Sequence, residues 1–199
     1  HNNGTFEFNS GAGSQDWNAG GSGTAFTFHN VTIANAAVNQ YRSDTIEGTL
    51  TINSSKKLQV RGTNTAVLTM GTSSAAGTIA NSGTMTFTDN TSNNAEVSGA
   101  SNLFPFSCTG TDWDWDNGGS GSKVKISNID YDPDITTGGG GVTITLTGDC
   151  EFDAVTVSGG DTLDLNGQRM ECSGNFTASS GSCNVDFGAG MLIAPRINI

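Results

Sequence analysis

The sequence predicts an all-β protein folded as a β-solenoid of the parallel β-helix type, in which tandem repeats wind into stacked coils. Three observations support this fold class. Thr, Ser, Asn and Gly together make up nearly half of the 199 residues, which favours many short strands joined by tight turns. Apolar residues alternate with polar ones, and no stretch of eleven residues shows the apolar spacing of a helix. Finally, a segment of the first half recurs in the second half.

The alternation places the strands along the chain. Clear examples are Phe6 with Phe8, Phe26 with Phe28, Val31 with Ile33, Leu50 with Ile52, and Leu58 with Val60. A disordered polar tract has no reason to keep this pattern. In chain order, the predicted strands are 5–9, 24–33, 45–52, 57–61, 66–70, 84–88, 103–107, 122–131, 142–147, 151–157, 162–166 and 183–187. Asn, Gly, Ser and Asp turn signals bound many of them.

The internal repeat is the most informative feature. Asp16–Gly23 matches Asp114–Gly121 without a gap, 98 residues further along, and the same offset carries Phe6 onto Phe104. We therefore expect two β modules, followed by the start of a third repeat or a cap on the C-terminal edge. The three segments are 1–97, 98–184 and 185–199.

Two tandem β-sandwich modules are the alternative architecture. A sandwich core needs more large apolar side chains than a chain that is 34% hydrophobic supplies, whereas a narrow solenoid core is filled by Val, Ile, Leu, Ala and Thr. Cys150 and Cys172 are also separated by about the length of one coil. The solenoid is therefore preferred, with these two cysteines on adjacent coils.

The charge excludes several classes of partner. The formal net charge is −11, from 8 basic and 19 acidic residues, and such a surface repels phosphate backbones and anionic lipids. No apolar run approaches 18 residues. We therefore expect neither nucleic-acid binding nor membrane insertion. The first residue is His1 rather than Met, as in a processed chain or a fragment of a longer one.

Four cysteines lie in the second half, at Cys108, Cys150, Cys172 and Cys183. None forms a C-x-x-C pair, and the sequence has only two histidines, so zinc is not expected. Disulfides formed in an oxidising compartment and buried thiols are both compatible with this spacing.

An acidic and aromatic run spans Asp112, Trp113, Asp114, Trp115 and Asp116. On a strand, the three carboxylates share one face and the two tryptophans the other. Calcium, which prefers oxygen ligands, is the candidate ion. A solvated acidic face with the tryptophans packed inward is the preferred interpretation.

Trp17 and Trp115 occupy equivalent repeat positions, each beside Gly-Gly-Ser-Gly. Together with Trp113, they are candidates for stacking on sugar rings. Recurrence at the same repeat position is also what packing under a glycine turn requires, and packing is the preferred interpretation. No nucleophile elbow, phosphate loop or dinucleotide fingerprint occurs. We therefore expect a protein that is not an enzyme, with no cofactor other than the candidate calcium.

Several segments resemble the repeats of phage fibre and appendage proteins and of bacterial surface adhesins. They are Phe28–Ile33 (FHNVTI), Gly48–Gly62 (GTLTINSSKKLQVRG), Gly83–Phe87 (GTMTF) and Val155–Gly167 (VTVSGGDTLDLNG). The resemblance implies right-handed parallel β-helix units.

As to function, we expect a structural module of an extracellular assembly, most simply a virion appendage or coat component. A bacterial surface adhesin or filament subunit is the first alternative. A β-helix that binds or cleaves carbohydrate is the second. The expected partners are copies of the chain, other structural subunits or surface glycans. The apolar tail 191–199 is expected to cover an open strand edge or to lie in a subunit interface.

Overall fold

The computed structural model describes residues 3–11, 13–17, 25–61, 67–88, 95–101, 106–109, 113–114, 123–127, 129–131, 135–137, 141–178 and 181–199. These residues form 26 strands and no helix. Accordingly, the described part of the chain holds no helix with the length and apolarity needed to span a membrane. The strands stack in parallel as a β-solenoid, so the predicted fold class is confirmed.

Four parallel sheets contain all the strands. The first sheet consists of β1 (Thr5–Phe8), β4 (Asn30–Ile33), β7 (Thr49–Ile52), β10 (Thr78–Asn81), β13 (Phe106–Thr109), β16 (Ile129–Tyr131), β19 (Cys150–Phe152), β22 (Arg169–Cys172) and β25 (Met191–Ile193). The second sheet consists of β2 (Ser14–Trp17), β5 (Ala37–Gln40), β8 (Lys57–Arg61), β11 (Thr84–Thr88) and β14 (Trp113–Asp114). The third sheet consists of β3 (Thr27–Phe28), β6 (Asp44–Ile46), β9 (Val67–Met70), β12 (Ala95–Gly99), β15 (Lys123–Ser127), β18 (Thr143–Leu146), β21 (Thr162–Asp164) and β24 (Asn184–Asp186). The fourth sheet consists of β17 (Ile135–Thr136), β20 (Val155–Val157), β23 (Phe176–Ala178) and β26 (Ile197–Asn198).

The strand order follows directly from the winding of the chain. Each coil contributes one strand to the first sheet, the next to the second or fourth sheet, and the next to the third sheet. The second and fourth sheets therefore occupy the same side in successive parts of the solenoid. Every strand pair among the described residues is parallel, apart from an isolated antiparallel bridge between Thr72 and Ala75. β-Sandwiches are built from antiparallel sheets, so the sandwich alternative is excluded.

The core consists of inward-facing columns of apolar side chains. On the first sheet, one column runs through Val31, Leu50, Ile79 and Cys108, in register on successive strands. Each of these side chains is at most 1% exposed. Burying one such aliphatic side chain contributes about 1.5–3 kcal/mol. The alternating sequence pattern therefore builds a continuous apolar interior.

The corners between sheets depend on tight backbone contacts. At the corner before β7, the Asn30 side-chain oxygen accepts a hydrogen bond from the Thr49 amide at 2.8 Å. A Cβ atom on Gly48 would lie 2.6 Å from that same oxygen. Glycine is therefore needed at this corner because the asparagine of the preceding coil occupies the space.

Threonine and serine concentrate at outward positions of the strands. One outward column of the third sheet passes through Thr27, Thr45, Thr69 and Ser98 in successive coils. A β-branched hydroxyl side chain suits a pleated surface that faces solvent. The high Thr and Ser content therefore reflects the many outward strand positions of the solenoid.

The 98-residue repeat coincides with the structural register on the second sheet. There, Asp16 aligns with Asn39, then Gln59, Thr86 and finally Asp114. Asp16 and Asp114, paired by the sequence repeat, therefore occupy the same column four coils apart.

The first sheet follows a different offset. On the first sheet, the column of Phe6 reaches Cys108 after four coils, whereas the repeat points to Phe104, outside the described residues. Positions 104 and 108 are separated by an even number of residues, and residues at even spacing on a strand point to the same face. The proposed module boundaries at 97/98 and 184/185 fall inside β12 and β24, and the stack continues through both. The modules remain a prediction about sequence repetition.

Candidate functional site

Five aromatic side chains close the N-terminal end of the core. This aromatic end comprises Phe6, Phe8, Trp17, Phe26 and Phe28, contributed by β1, by β2 and by β3 with the residue just before it. Neighbouring ring centroids lie 4.9 to 6.1 Å apart, within the range of favourable aromatic pairs. Phe6 is 49% exposed and Phe26 53%. The first coil therefore presents an apolar surface along the solenoid axis.

Trp17 lies inside this cluster rather than on the surface. Its side chain is only 2% exposed, and its ring is 5.2 Å from Phe8 and 5.6 Å from Phe28. This position favours the packing interpretation of Trp17. The structure describes the backbone of Trp113 in β14, in register with Met85, while Trp115 lies outside the described residues. Sugar stacking by these two tryptophans stays a prediction.

A cavity of about 320 Å³ opens among the aromatic rings, and Asp16 is the one acidic residue among the described residues that line it. The Asp16 carboxylate accepts a hydrogen bond from the Asn39 side-chain amide at 3.0 Å. The exposed Glu7 lies on β1 at the same end. The aromatic end is therefore apolar at its centre and acidic at its rim.

The candidate calcium ligands fall largely outside the part of the chain that the structure describes. Asp112 and Asp116 are not described, and Asp114 is described only as a strand position in register with Thr86. Elsewhere in the described residues, no group of three or more His, Cys, Asp or Glu side chains is placed to hold a metal ion. The calcium hypothesis stays a prediction.

All four cysteines are described, and none forms a disulfide. Cys150 and Cys172 lie on adjacent strands of the first sheet, as expected, but in neighbouring columns, since Cys172 aligns with Phe152. Burial, and secondly the Asp153 carboxylate, raise the pKa of Cys172 from 9.0 to about 11. Cys108, Cys150 and Cys172 are thus buried thiols that take part in the core.

His29 is the only histidine in the described residues. Its Nδ1 atom lies 3.9 Å from the Glu47 carboxylate, and both side chains are about one third exposed. This is a surface contact between neighbouring coils.

The C-terminal end of the solenoid also exposes apolar side chains. The tail 191–199 stacks on the preceding coil, because β25 pairs with β22 and β26 pairs with β23. Met191, Ile197 and Ile199 are 58%, 46% and 80% exposed. Among the described residues, β24 is the last strand of the third sheet.

A cavity of about 510 Å³ lies beside this edge strand. Cys183, Val185 and Phe187 line one side, and Ala178 and Ile199 line another. The sequence pattern identifies Val185 and Phe187 as alternating positions of a third repeat.

Three comparisons with known proteins add no relative. No family model matches the sequence, and no curated protein and no solved structure is similar enough to match.

Proposed function

We propose that this chain is a non-catalytic structural module that assembles with copies of itself or with similar subunits into an extracellular rod. The observation that carries the proposal is the combination of one parallel solenoid with an apolar surface at each end. Strand edges bear unpaired amide and carbonyl groups, and an apolar edge is a template for another strand. A solenoid of this kind is stabilised by stacking further repeats on its ends.

The body of the solenoid supports the same proposal. Its outward positions carry mainly hydroxyl and amide side chains, which suits a rod that stays solvated along its length. Its interior is a column of interlocking apolar side chains, which suits a load-carrying element. A virion appendage or coat component is our first candidate for the assembly. The segments Gly48–Gly62 and Val155–Gly167, which resemble phage fibre repeats, support it.

A bacterial surface adhesin or filament subunit is the alternative within this class, since the same segments resemble adhesin repeats. Labelling the source culture with an antibody against this chain, followed by electron microscopy, separates the two. Label on particle appendages supports the virion assignment, and label on the cell surface supports the adhesin.

Assembly itself is tested on the purified protein. We expect light scattering to show a mass that grows with concentration, and negative-stain micrographs to show rods longer than one molecule. Ile199→Asp adds a charge to the apolar C-terminal end and is expected to suppress growth. Thr51→Asp adds the same charge at an outward position in the middle of the first sheet and is the control. A monomer at all concentrations, or release of reducing sugar from surface polysaccharides, would contradict the proposal.

A further inference from the structure

Two arginines lie at one corner on the flank of the solenoid, on neighbouring coils. Arg61 is the last residue of β8, and Arg42 follows the end of β5 by two residues. Gln40 of β5 is in register with Val60 of β8, so both arginines lie where the chain leaves the second sheet for the third. Strands of neighbouring coils are about 4.8 Å apart, so this arginine corner brings two positive charges close together.

The Arg61 guanidinium is held in place by Tyr41. Its Nη1 atom donates a hydrogen bond to the Tyr41 hydroxyl oxygen at 3.3 Å. Its guanidinium carbon lies 5.2 Å from the centroid of the same ring, within the distance of a cation–π contact. These contacts fix the planar guanidinium and leave its Nε–H donor for another acceptor.

Both arginines bury an Nε–H donor that has no acceptor. Within the part of the chain that the structure describes, neither the Arg42 Nε atom nor the Arg61 Nε atom has a hydrogen-bond partner, although both atoms are buried. Each residue as a whole is only half-buried, so solvent reaches part of each side chain. An unsatisfied buried donor is costly, most of all on a charged group, and it marks a place for an ion or an ordered water.

The positive charge of the arginine corner is not neutralised by a carboxylate. Neither arginine forms an ion pair with any residue that the structure describes. Asp44 is the nearest acidic residue along the chain, but it is buried, and its Oδ1 atom accepts the Phe26 amide at 2.8 Å. Asp16, on the coil before, accepts from the Asn39 side-chain amide at 3.0 Å. The corner therefore lacks a counter-ion of its own.

We propose that the arginine corner binds an oxyanion, a carboxylate or sulfate group, which accepts the Nε–H groups of Arg42 and Arg61. An anion with two or more oxygens suits the donor fork of a guanidinium, and charge-assisted hydrogen bonds are about twice as strong as neutral ones. The anion also offsets the repulsion between the two positive charges. The inference is independent of rod assembly, because the corner lies on the flank of the solenoid.

The charge of the whole chain limits the kind of ligand. A net charge of −11 repels a long polyanion, whereas the local field of two arginines attracts a single anionic group. Such a group comes from two sources, a free small anion or one charged sugar such as a uronic acid. The ligand class is therefore a small molecule that carries one carboxylate or sulfate group.

Proton–nitrogen correlation spectra of isotope-labelled protein test the site directly. The unaltered protein is titrated at neutral pH and constant ionic strength with sodium acetate, sodium sulfate and sodium glucuronate. We expect the Nε–H signals of Arg42 and Arg61 to shift together, with one dissociation constant for each anion that binds. Tighter binding of glucuronate than of acetate assigns the ligand to acidic sugars, and equal binding assigns it to free anions.

The other two arginines are internal controls. Arg169 is ion-paired with Glu151 and Glu171, and the Arg196 Nε atom donates to the Asn198 side chain at 2.9 Å. Because these guanidinium groups already have acceptors, we expect their Nε–H signals to stay in place during the titrations.

Variants separate charge from hydrogen-bond geometry. We expect Arg42→Gln and Arg61→Gln each to weaken anion binding by about tenfold or more, since each removes a charged donor. Arg61→Lys keeps the charge and loses the fork, so a smaller loss is expected. Arg169→Gln is the matched control and is expected to change binding by less than about twofold. Unchanged backbone signals away from the substitution show that each variant is folded.

The outcomes decide the proposal. Shifts confined to the arginine corner, lost in both glutamine variants and kept in the control, support an oxyanion site. If neither Nε–H signal moves with any of the three anions, ordered water satisfies these donors and the proposal is wrong. Equal shifts at all four arginines would show a general ion atmosphere and would also overturn it. The proposed function is tested separately, by the growth of mass with concentration.

Discussion

Trp17 and Gln40 lie side by side on β2 and β5, in register on neighbouring coils. Trp17 is 2% exposed and Gln40 is fully buried. Among the described residues, neither the Trp17 Nε1 atom nor the Gln40 Oε1 atom has a hydrogen-bond partner. The Gln40 amide nitrogen donates to the Arg42 carbonyl at 2.8 Å, which anchors its side chain. Among the described residues, the N-terminal coil therefore holds the Trp17 indole by packing against Phe8 and Phe28.

This relationship predicts the effect of replacing Trp17. We expect Trp17→Ala to lower the free energy of unfolding by about 3–5 kcal/mol, because it removes the ring that contacts Phe8 and Phe28. Trp17→Phe keeps a ring and loses no hydrogen bond to a described residue, so its expected cost is smaller, about 1–2 kcal/mol. Chemical denaturation measures both. If the two variants lower the free energy of unfolding equally, the indole N–H makes a stabilising hydrogen bond.

Gly83 provides a test of coil stacking. A Cβ atom there would lie 2.3 Å from the Lys56 carbonyl oxygen and 2.5 Å from that of Asn53. Because both contacts are with backbone, relief requires moving a turn, and we expect Gly83→Ala to destabilise by about 1–3 kcal/mol. Gly181→Ala is the matched control, since its Cβ would meet no described residue within 4 Å. Thermal melting compares the two, and similar melting temperatures would contradict the close packing at this corner.

Asp161 is a fully buried carboxylate that stabilises a turn of the preceding coil. Its Oδ1 atom accepts hydrogen bonds from the Gly141 amide at 2.8 Å and the Val142 amide at 3.0 Å. Asp161→Ala would leave these amides without their acceptor, and each buried unsatisfied donor costs about 1–3 kcal/mol. We therefore expect Asp161→Ala to destabilise the protein strongly in denaturant titrations.

The control for Asp161 is another aspartate that bonds a turn amide. Asp164 accepts from the Asn166 amide at 2.8 Å, but that contact is exposed to solvent. We expect Asp164→Ala to cost less than about 1 kcal/mol, because water replaces the lost acceptor. If Asp164→Ala lowers the free energy of unfolding as much as Asp161→Ala does, the burial of Asp161 does not explain the effect of its substitution.

The raised pKa of Cys172 predicts that the folded protein loses stability at alkaline pH. In the folded protein the pKa of this thiol is about 11, whereas in the unfolded chain the thiol has its ordinary pKa of 9.0. The stabilisation is therefore complete below the unfolded pKa and is lost as the pH rises towards 11. We expect the free energy of unfolding, measured by urea titration, to fall across that range.

Cysteine variants separate this effect from other alkaline changes. Cys172→Ala is expected to flatten the alkaline fall, and Cys183→Ala is expected to leave it in place. At pH 8, thiol reagents are expected to label half-buried Cys183 first and the three buried cysteines only on unfolding. Rapid labelling of Cys172 in the folded state would contradict its burial.

The sequence pattern predicted strands well and corners poorly. All twelve predicted strands overlap strands of the structure. The predicted segment 24–33, however, contains two strands on different sheets, β3 and β4. The signal is the break in alternation between Phe28 and Val31, both of which face the core. A single shift in the period-two pattern marks a corner, and it is easily taken for an irregularity within one strand.

Some strands were not predicted because they carry few apolar residues. β5 places Asn39 and Gln40 in buried positions, and hydropathy does not indicate burial for either residue. In a solenoid, the coil above and the coil below cover these side chains. Their burial therefore depends on neighbours about 20 residues away, which a local pattern does not contain.

By itself, the sequence determined the architecture: alternating apolar residues such as Leu50 and Ile52, with turn residues between them, require short strands with one buried face. Only the tertiary structure decided which sheet each strand joins and which rings meet across strands. The aromatic cluster around Phe6 follows from the winding order of the coils. That order is set by the number of residues each corner consumes, and those contacts between coils lie far apart along the chain.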